Sequence, residues 1–506
     1  MKMKKLIILF SVAIFALTAC VHDDTNEDFL QLNEATISGI EDEYDNVYVD
    51  DFLKISPVIK TTQDDLSQFS YFWITYNTST IYSADTLSHD KDLNVKIKLF
   101  PGKHTMVFKA VDNSTGIFYK KQFTINVVNE FTNGIMLLYE KNGNAELGFW
   151  SNDRNKFIDD IYGKLNDGDV IGKHPQRVYF NKYTSEPANE ILVLCQDQKG
   201  GVFMNATTMQ KTRDYKDFFF AAPDEVKPQA YFKSSMREYL IDNGLAYDRA
   251  TNSSVPSPTV KPNLSVQGKT YDIADRADFG DTELGPDEYP YRMILYDNKN
   301  MCFYNLCNIA SAFMQLVKGS EDIDYISGGF FDPNNVGMTC LYANISARST
   351  TGAREYMGVF ETPQGERHLL KMGIGFWVDN ADPDTYFRDL GNDVITSEKI
   401  NEATTFACSP MVPGYMFYAA GNALYLYNVT NKTGKKIFEF PASRKINHIE
   451  IPGNGDLLVA YQDEAKQTAK AGFAVLTIST DGGFKLTTKH QFDEVGDKIV
   501  DFENKY

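Results

Sequence analysis

The chain has 506 residues, and 68 Asp and Glu against 50 Lys and Arg set its formal charge at −18 at pH 7. A chain so acidic repels phosphate, and no run of Lys and Arg is dense enough to offset this locally, which argues against nucleic acid as a partner. Its length is several times what one small core needs, so at least two domains are expected, and the 29 Tyr and 35 Phe suit pleated β surfaces.

In chain order, the first element is a leader. Met1-Lys2-Met3-Lys4-Lys5 precedes a short apolar run from Leu6 to Leu17, and Leu17-Thr18-Ala19-Cys20 closes it. The basic start, short apolar core and small residues before the cysteine are those of a lipoprotein signal peptide, expected over residues 1–19 and too short for a helix crossing a bilayer. Cleavage would leave Cys20 as the lipidation site, with 47 basic and 68 acidic residues in the mature chain. Several acyl chains hold a protein at a membrane without spanning it. Val21-His22-Asp23-Asp24 is similar to the acidic export signal of lipoproteins that reach the outer face of the outer membrane, and also fits a solvated tether, here residues 20–32.

Short strands follow over residues 33–129. They are expected at 46–59, at the aromatic-rich 69–76, at 93–100 (alternating Leu93, Val95, Ile97, Leu99), at 105–111, and in a closing strand marked by Phe123, Ile125 and Val127. Pro101-Gly102 and Asp112-Asn113-Ser114-Thr115-Gly116 supply turns. Strands at this spacing read as an immunoglobulin-like sandwich, with Trp73 in its core.

From Gly134 to the C-terminus a different rhythm runs. Hairpins are expected at Ile135–Tyr139 with 147–150, at 191–194 with 202–204, and at 239–241 with 245–247 around Asp242-Asn243-Gly244. Asn-Gly favours a type I′ turn, with positive φ at both central residues. Further copies start near Met293, Cys340, Met416 and Leu457. About seven such units predict a β-propeller over 134–506, since radial closure covers each sheet face and leaves no long edge; two stacked sandwiches are the alternative. Residues 308–320 place Ile309, Phe313, Leu316 and Val317 at helical spacing behind a capping Asn308, so a short helix is expected there. The aromatics of Asp217-Phe218-Phe219-Phe220 read as buried under a loop, with an exposed patch as the other option.

The five cysteines beyond Cys20 read as small buried hydrophobes. Cys302 and Cys307 would stand on opposite faces of one strand about 17 Å apart, beyond disulfide reach.

The lipobox, Ile37-Ser38-Gly39-Ile40, Phe69-Ser70-Tyr71-Phe72-Trp73 and Pro101-Gly102-Lys103-His104-Thr105 together resemble the PKD-like lipoproteins that accompany starch-utilisation-type importers of the outer membrane. The resemblance implies an accessory subunit beside a TonB-dependent channel and its lid lipoprotein, handling oligopeptides or oligosaccharides. It hands over no catalytic residue.

Catalytic signatures are sparse. The chain has no His-Glu-x-x-His and no Gly-x-Ser-x-Gly. Residues 168–174 fall one short of a phosphate loop and read as a turn. The histidines are scattered, with no two at metal-ligand spacing, and no metal or cofactor is expected. Residues 379–384 cluster three carboxylates without the glycine and distal glutamate of an EF-hand, which favours a solvated loop over a calcium site.

Three functions stay open: a non-enzymatic surface lipoprotein aiding ligand capture, a propeller enzyme such as a glycan lyase or peptidase, and a purely structural subunit. If ligand or partner meets the propeller's loops, the candidates are Trp150 with Asp153 and Arg154, and Trp377 with Asp379, where an aromatic ring gives way to polar residues; the core is the alternative place for both rings.

Overall fold

A computed structural model of the chain describes residues 32–76, 84–181, 189–233, 237–250, 269–280, 292–307, 312–316, 325–348, 353–375, 386–453, 455–480 and 484–505. The chain divides into two compact units, the first ending at Val128 and the second running from Asn129 to Tyr506. Both are built from strands. Among the described residues no helix is long and apolar enough to cross a membrane.

In the first unit a five-stranded sheet is ordered Glu43–Tyr48, Phe118–Val128, Gly102–Asp112, Phe69–Tyr76, Ala84–Ser88. Two strand pairs, Ala35–Ser38 with Val58–Thr61 and Phe52–Ile55 with Leu93–Lys96, accompany it. The expected strand over 46–59 is three shorter ones, Glu43–Tyr48, Phe52–Ile55 and Val58–Thr61, broken at Asp50, which takes positive φ, and at Pro57, where the chain changes partner; Asn46, also at positive φ, sits at an irregularity inside the first. The Asp112 turn forms as expected: its carboxylate accepts from Ser114 N–H at 2.9 Å and the Gly116 N–H donates to its carbonyl at 2.7 Å. Trp73 is fully buried against Phe108 and Phe123, and its indole N–H donates to the Asp90 carbonyl at 2.9 Å. The ring therefore fills the core without stranding a donor.

The second unit contains seven sheets among the described residues, each mainly an antiparallel meander. Strands such as Gly134–Lys141 and Glu190–Cys195 are apolar on both sides, a pattern that only sheets covered on two faces require. Those faces meet in sequence. Separate apolar clusters join the first sheet to the second (Leu138 with Val193), the second to the third (Leu194 with Leu240), the third to the fourth (Ile241 with Leu295), and the fourth to the fifth (Tyr296 with Phe360). The series continues from the fifth to the sixth (Val359 with Tyr418), from the sixth to the seventh (Leu426 with Leu457), and from the seventh back to the first (Phe473 with Leu137). The last strand, Lys498–Lys505, does not extend the seventh sheet; it pairs antiparallel with Gly134–Lys141 in the first. The arrangement is β-propeller-like.

All the predicted hairpins form. In the Asp242 turn Asn243 and Gly244 both take positive φ, 49° and 76°. A Cβ on Gly244 would also stand 2.3 Å from Asp272 Oδ1, so a larger residue would have to displace that side chain as well as adopt the strained φ. The helix expected over 308–320 is not what the chain forms at its centre. Ala312–Gln315 is a strand paired with Cys302–Cys307, because the third place in the fourth sheet outweighs a local helical spacing. Phe218 and Phe219 are buried against Tyr215 and Tyr247, whereas Phe220 is 83% exposed, so burial and exposure divide that aromatic run. Cys195, Cys302, Cys340 and Cys408 are free and buried; burial pushes the Cys408 thiol up to about 12.

Candidate functional site

Among the described residues, edge strands of neighbouring sheets in the second unit adjoin one another from the fifth sheet round to the third. Lys498–Lys505 lies beside Pro175–Asn181 and Arg444–Glu450, Arg444–Glu450 beside Thr405–Ala407, and Thr405–Ala407 beside Thr339–Arg348. The segment 269–280 links the fourth sheet to the fifth, donating from Ala274 N–H to the Tyr296 carbonyl and from Asp278 N–H to the Ala343 carbonyl. These inner edges converge on a group of ionisable side chains contributed at period two: Arg177 and Tyr179, His448 and Glu450, and Asp501, Glu503 and Lys505. Period two puts the members of each set on one face of their strand.

Asp501, 2% exposed, stands at the centre. Its Oδ1 accepts from the Arg177 guanidinium at 3.1 Å and its Oδ2 from the Val178 N–H at 3.0 Å. Arg177 also donates to the Asp275 carbonyl at 3.1 Å, which fixes the guanidinium between the last strand and the segment 269–280. Burial works to raise the pKa of Asp501, but Arg177, the adjoining His448 and Arg276 outweigh it and hold the carboxyl below the ordinary range. His448 Nε2 lies 3.4 Å from Asp501 Oδ1 and 3.8 Å from Glu450 Oε2.

The other carboxylates are pushed the opposite way. The surrounding protein raises Glu450, and the Asp501 charge adds to this, against His448 and Arg177. Yet 36% of the Glu450 side chain is accessible, so the group faces a water-reachable space while enclosed by protein. Burial together with the charges of Glu450 and Asp501 raises Glu503 well above its usual value. Arg276 stands in the field of Arg177, whose charge and then burial lower its pKa. Among the described residues its side chain makes no hydrogen bond or ion pair, so the inner face holds one guanidinium locked to a carboxylate and a second without a contact partner.

Such a group can hold protons at defined positions, and it can accept a ligand bearing both a carboxylate and hydrogen-bond donors. A separate polar cleft of about 480 Å³ by the Asn243-Gly244 turn, with Lys227, Tyr271, Asp272 and Lys299 in its wall, is open to solvent and has none of this convergence.

The residues expected at the loops fare differently. Trp150 is 2% exposed and packs on His490 and Phe492 at ring separations of 4.9 and 4.4 Å, in the core between the first and seventh sheets. Its ring presents no platform to a ligand, because a strand facing a neighbouring sheet buries its aromatics. Asp153 is exposed and accepts from Asn133 Nδ2 at 3.3 Å, and Arg154 is half-buried with its N–H near Ser151 Oγ. Neither joins the inner cluster. Trp377 and Asp379 lie outside the described residues, as do Cys20 and residues 380–384.

Sequence reasoning missed the inner cluster because its members are spread over more than 300 positions. The available signal was ionisable residues alternating in otherwise apolar strands, as in Ile499-Val500-Asp501-Phe502-Glu503 and Asn447-His448-Ile449-Glu450.

Residues 20–175 match the PKD-like family, so the N-terminal domain is PKD-like and the match runs on into the first sheet of the second unit. No curated protein sequence matches the chain. Among solved structures, a quinonprotein alcohol dehydrogenase-like protein from Bacteroides thetaiotaomicron is 10% identical with a TM-score of 0.42, over 90% of this chain and 96% of that one. The WD40 domain of SCAP from fission yeast is 9% identical with a TM-score of 0.32, over 63% of this chain and 75% of that one.

Proposed function

We propose that the protein is a non-enzymatic lipoprotein of the outer membrane, lipid-anchored through Cys20 and facing the cell exterior, that helps a starch-utilisation-type importer capture its ligand. On this reading its partners are the TonB-dependent channel and the lid lipoprotein. The PKD-like match and the leader ending at Cys20 support the placement. We further read the second unit as a seven-bladed propeller, supported by the seven sheets, the clusters that link each to the next, and the return of Lys498–Lys505 to the first sheet.

The observation that carries the ligand class is the inner cluster of both charge signs, in which Arg276 stands without a contact partner beside Arg177. A neutral oligosaccharide has no charge to offset an unpaired guanidinium, whereas an oligopeptide brings a carboxylate for it and N–H donors for Glu450. Oligopeptides are therefore preferred over oligosaccharides.

The test mixes purified protein with defined oligopeptide and oligosaccharide pools and follows both binding and product masses. Saturable peptide binding without turnover, weakened at least tenfold in Arg276→Ala, is the expected result. Binding confined to sugars would remove the peptide assignment, and turnover of either pool would establish the glycan lyase or peptidase reading that His448 between two carboxylates otherwise invites. Binding to neither, with the protein still co-purifying with the channel, would leave a structural subunit.

A further inference from the structure

We infer that His448, Glu450 and Asp501 form a site for one divalent cation of the zinc type, between the inner edges of the first and seventh sheets. Strand Arg444–Glu450 offers His448 and Glu450 from one face, and strand Lys498–Lys505 sets Asp501 opposite them. One ligand atom from each of the three lies within 4.8 Å of the others.

The decisive atom is His448 Nε2. The residue is 9% exposed, yet this buried nitrogen has no hydrogen-bond partner. It points at two carboxylate oxygens, 3.4 and 3.8 Å away, and the ring is steadied by stacking on Phe502 at 5.4 Å and 29°. A buried polar atom that faces oxygens without a hydrogen bond to either is costly, and a protein rarely bears this without a ligand or water to meet it. An imidazole nitrogen with two carboxylate oxygens is a donor set that zinc accepts, with water or substrate completing the coordination. The nitrogen donor also favours zinc and its transition-series neighbours over calcium or magnesium, which prefer oxygen alone.

The oxygens are held in place from behind. Val178 N–H and the Arg177 guanidinium both grip Asp501, as outer partners of metal-binding carboxylates do. Arg177 also opposes the cation, since it shares Asp501 Oδ1 and its charge offsets part of what the two carboxylates supply. The site therefore favours an exchangeable cation over a permanently bound one. This inference is independent of the peptide reading, because metal can be counted with no ligand present.

The experiment takes the mature chain, made soluble by Cys20→Ser and stripped with chelator, and titrates Zn²⁺ and then Co²⁺ against it. About one equivalent of Zn²⁺ per chain is expected, with visible bands on Co²⁺ binding and no comparable uptake of Ca²⁺. Glu450→Gln and His448→Gln should each weaken Zn²⁺ binding by roughly tenfold or more while unfolding as cooperatively as the parent. Glu450 is the safer of the two for the fold, because its side chain is partly accessible. Failure to take up Zn²⁺ would overturn the assignment, leaving an ion pair of His448 with the carboxylates. Unchanged Zn²⁺ binding in both folded variants would overturn it too, because the metal would then sit elsewhere.

Discussion

Arg177 and Asp501 are 324 positions apart and meet at 3.1 Å, joining the second sheet of the C-terminal unit to the strand that completes the first. Breaking a buried pair by removing one partner leaves an uncompensated charge, which costs about 3–5 kcal/mol, whereas replacing both partners costs less. Arg177→Met should therefore destabilise the protein by about 3 kcal/mol, and adding Asp501→Asn should restore part of the loss. Urea denaturation of the two single variants and the double variant measures the coupling. Strictly additive effects would refute a direct pairing.

Lys505 gives a pH dependence with a defined sign. It is 6% exposed, its ammonium donates to the Phe131 carbonyl, and burial lowers its pKa from 10.5 to about 8. Between those two values the unfolded chain binds a proton that the folded chain does not, so stability rises with pH across the window and the penalty is fully present below about 8. Buried cysteines and tyrosines with raised pKa values act in the opposite sense above their unfolded values, so the readout is the difference from a Lys505→Met variant. That variant should be more stable than the parent at pH 7 by about 1–2 kcal/mol, and the gap should narrow toward pH 9.5. A constant difference across that range would show that the lysine is not desolvated.

Trp150 sits where the first and seventh sheets press together, against His490 and Phe492. Trp150→Ala should cost about 3–5 kcal/mol, and Trp150→Phe distinctly less, because the cavity left behind is smaller. Both are measured as shifts in the denaturation midpoint. Binding by the folded fraction should stay intact in each. An alanine variant as stable as the parent but deficient in binding would move this residue out of the core and onto a recognition surface.

For the anchor, the outcome is read by fractionating cells. Cys20→Ser should release the protein from the membrane fraction in cells lacking the importer, since on the proposed reading lipid on Cys20 is what holds the chain at the membrane once residues 1–19 are removed. Retention of the variant in the membrane pellet would rule out lipidation at this residue as the anchor.

The sequence by itself determined the local elements. Aromatic enrichment marked the strand at 69–76 and period-two alternation the one at 105–111, Asn243-Gly244 imposed its turn through positive φ, and apolar runs such as Ile191-Leu192-Val193-Leu194 marked strands of the recurring hairpins. These features rest on interactions within a few residues, so a linear reading reaches them. Tertiary structure decided the rest. The last strand turns back to the first sheet because the apolar faces of Leu137 and Phe473 need covering, and no local pattern says by what. The same need overrode the helical spacing around Phe313 in favour of a third strand, and drew Trp150 inward although its sequence neighbours are polar. The inner cluster exists only because three strands from opposite ends of the unit converge there. Arg177, His448 and Asp501 acquire their shared electrostatics from distance in space, a quantity that spacing along the chain does not encode.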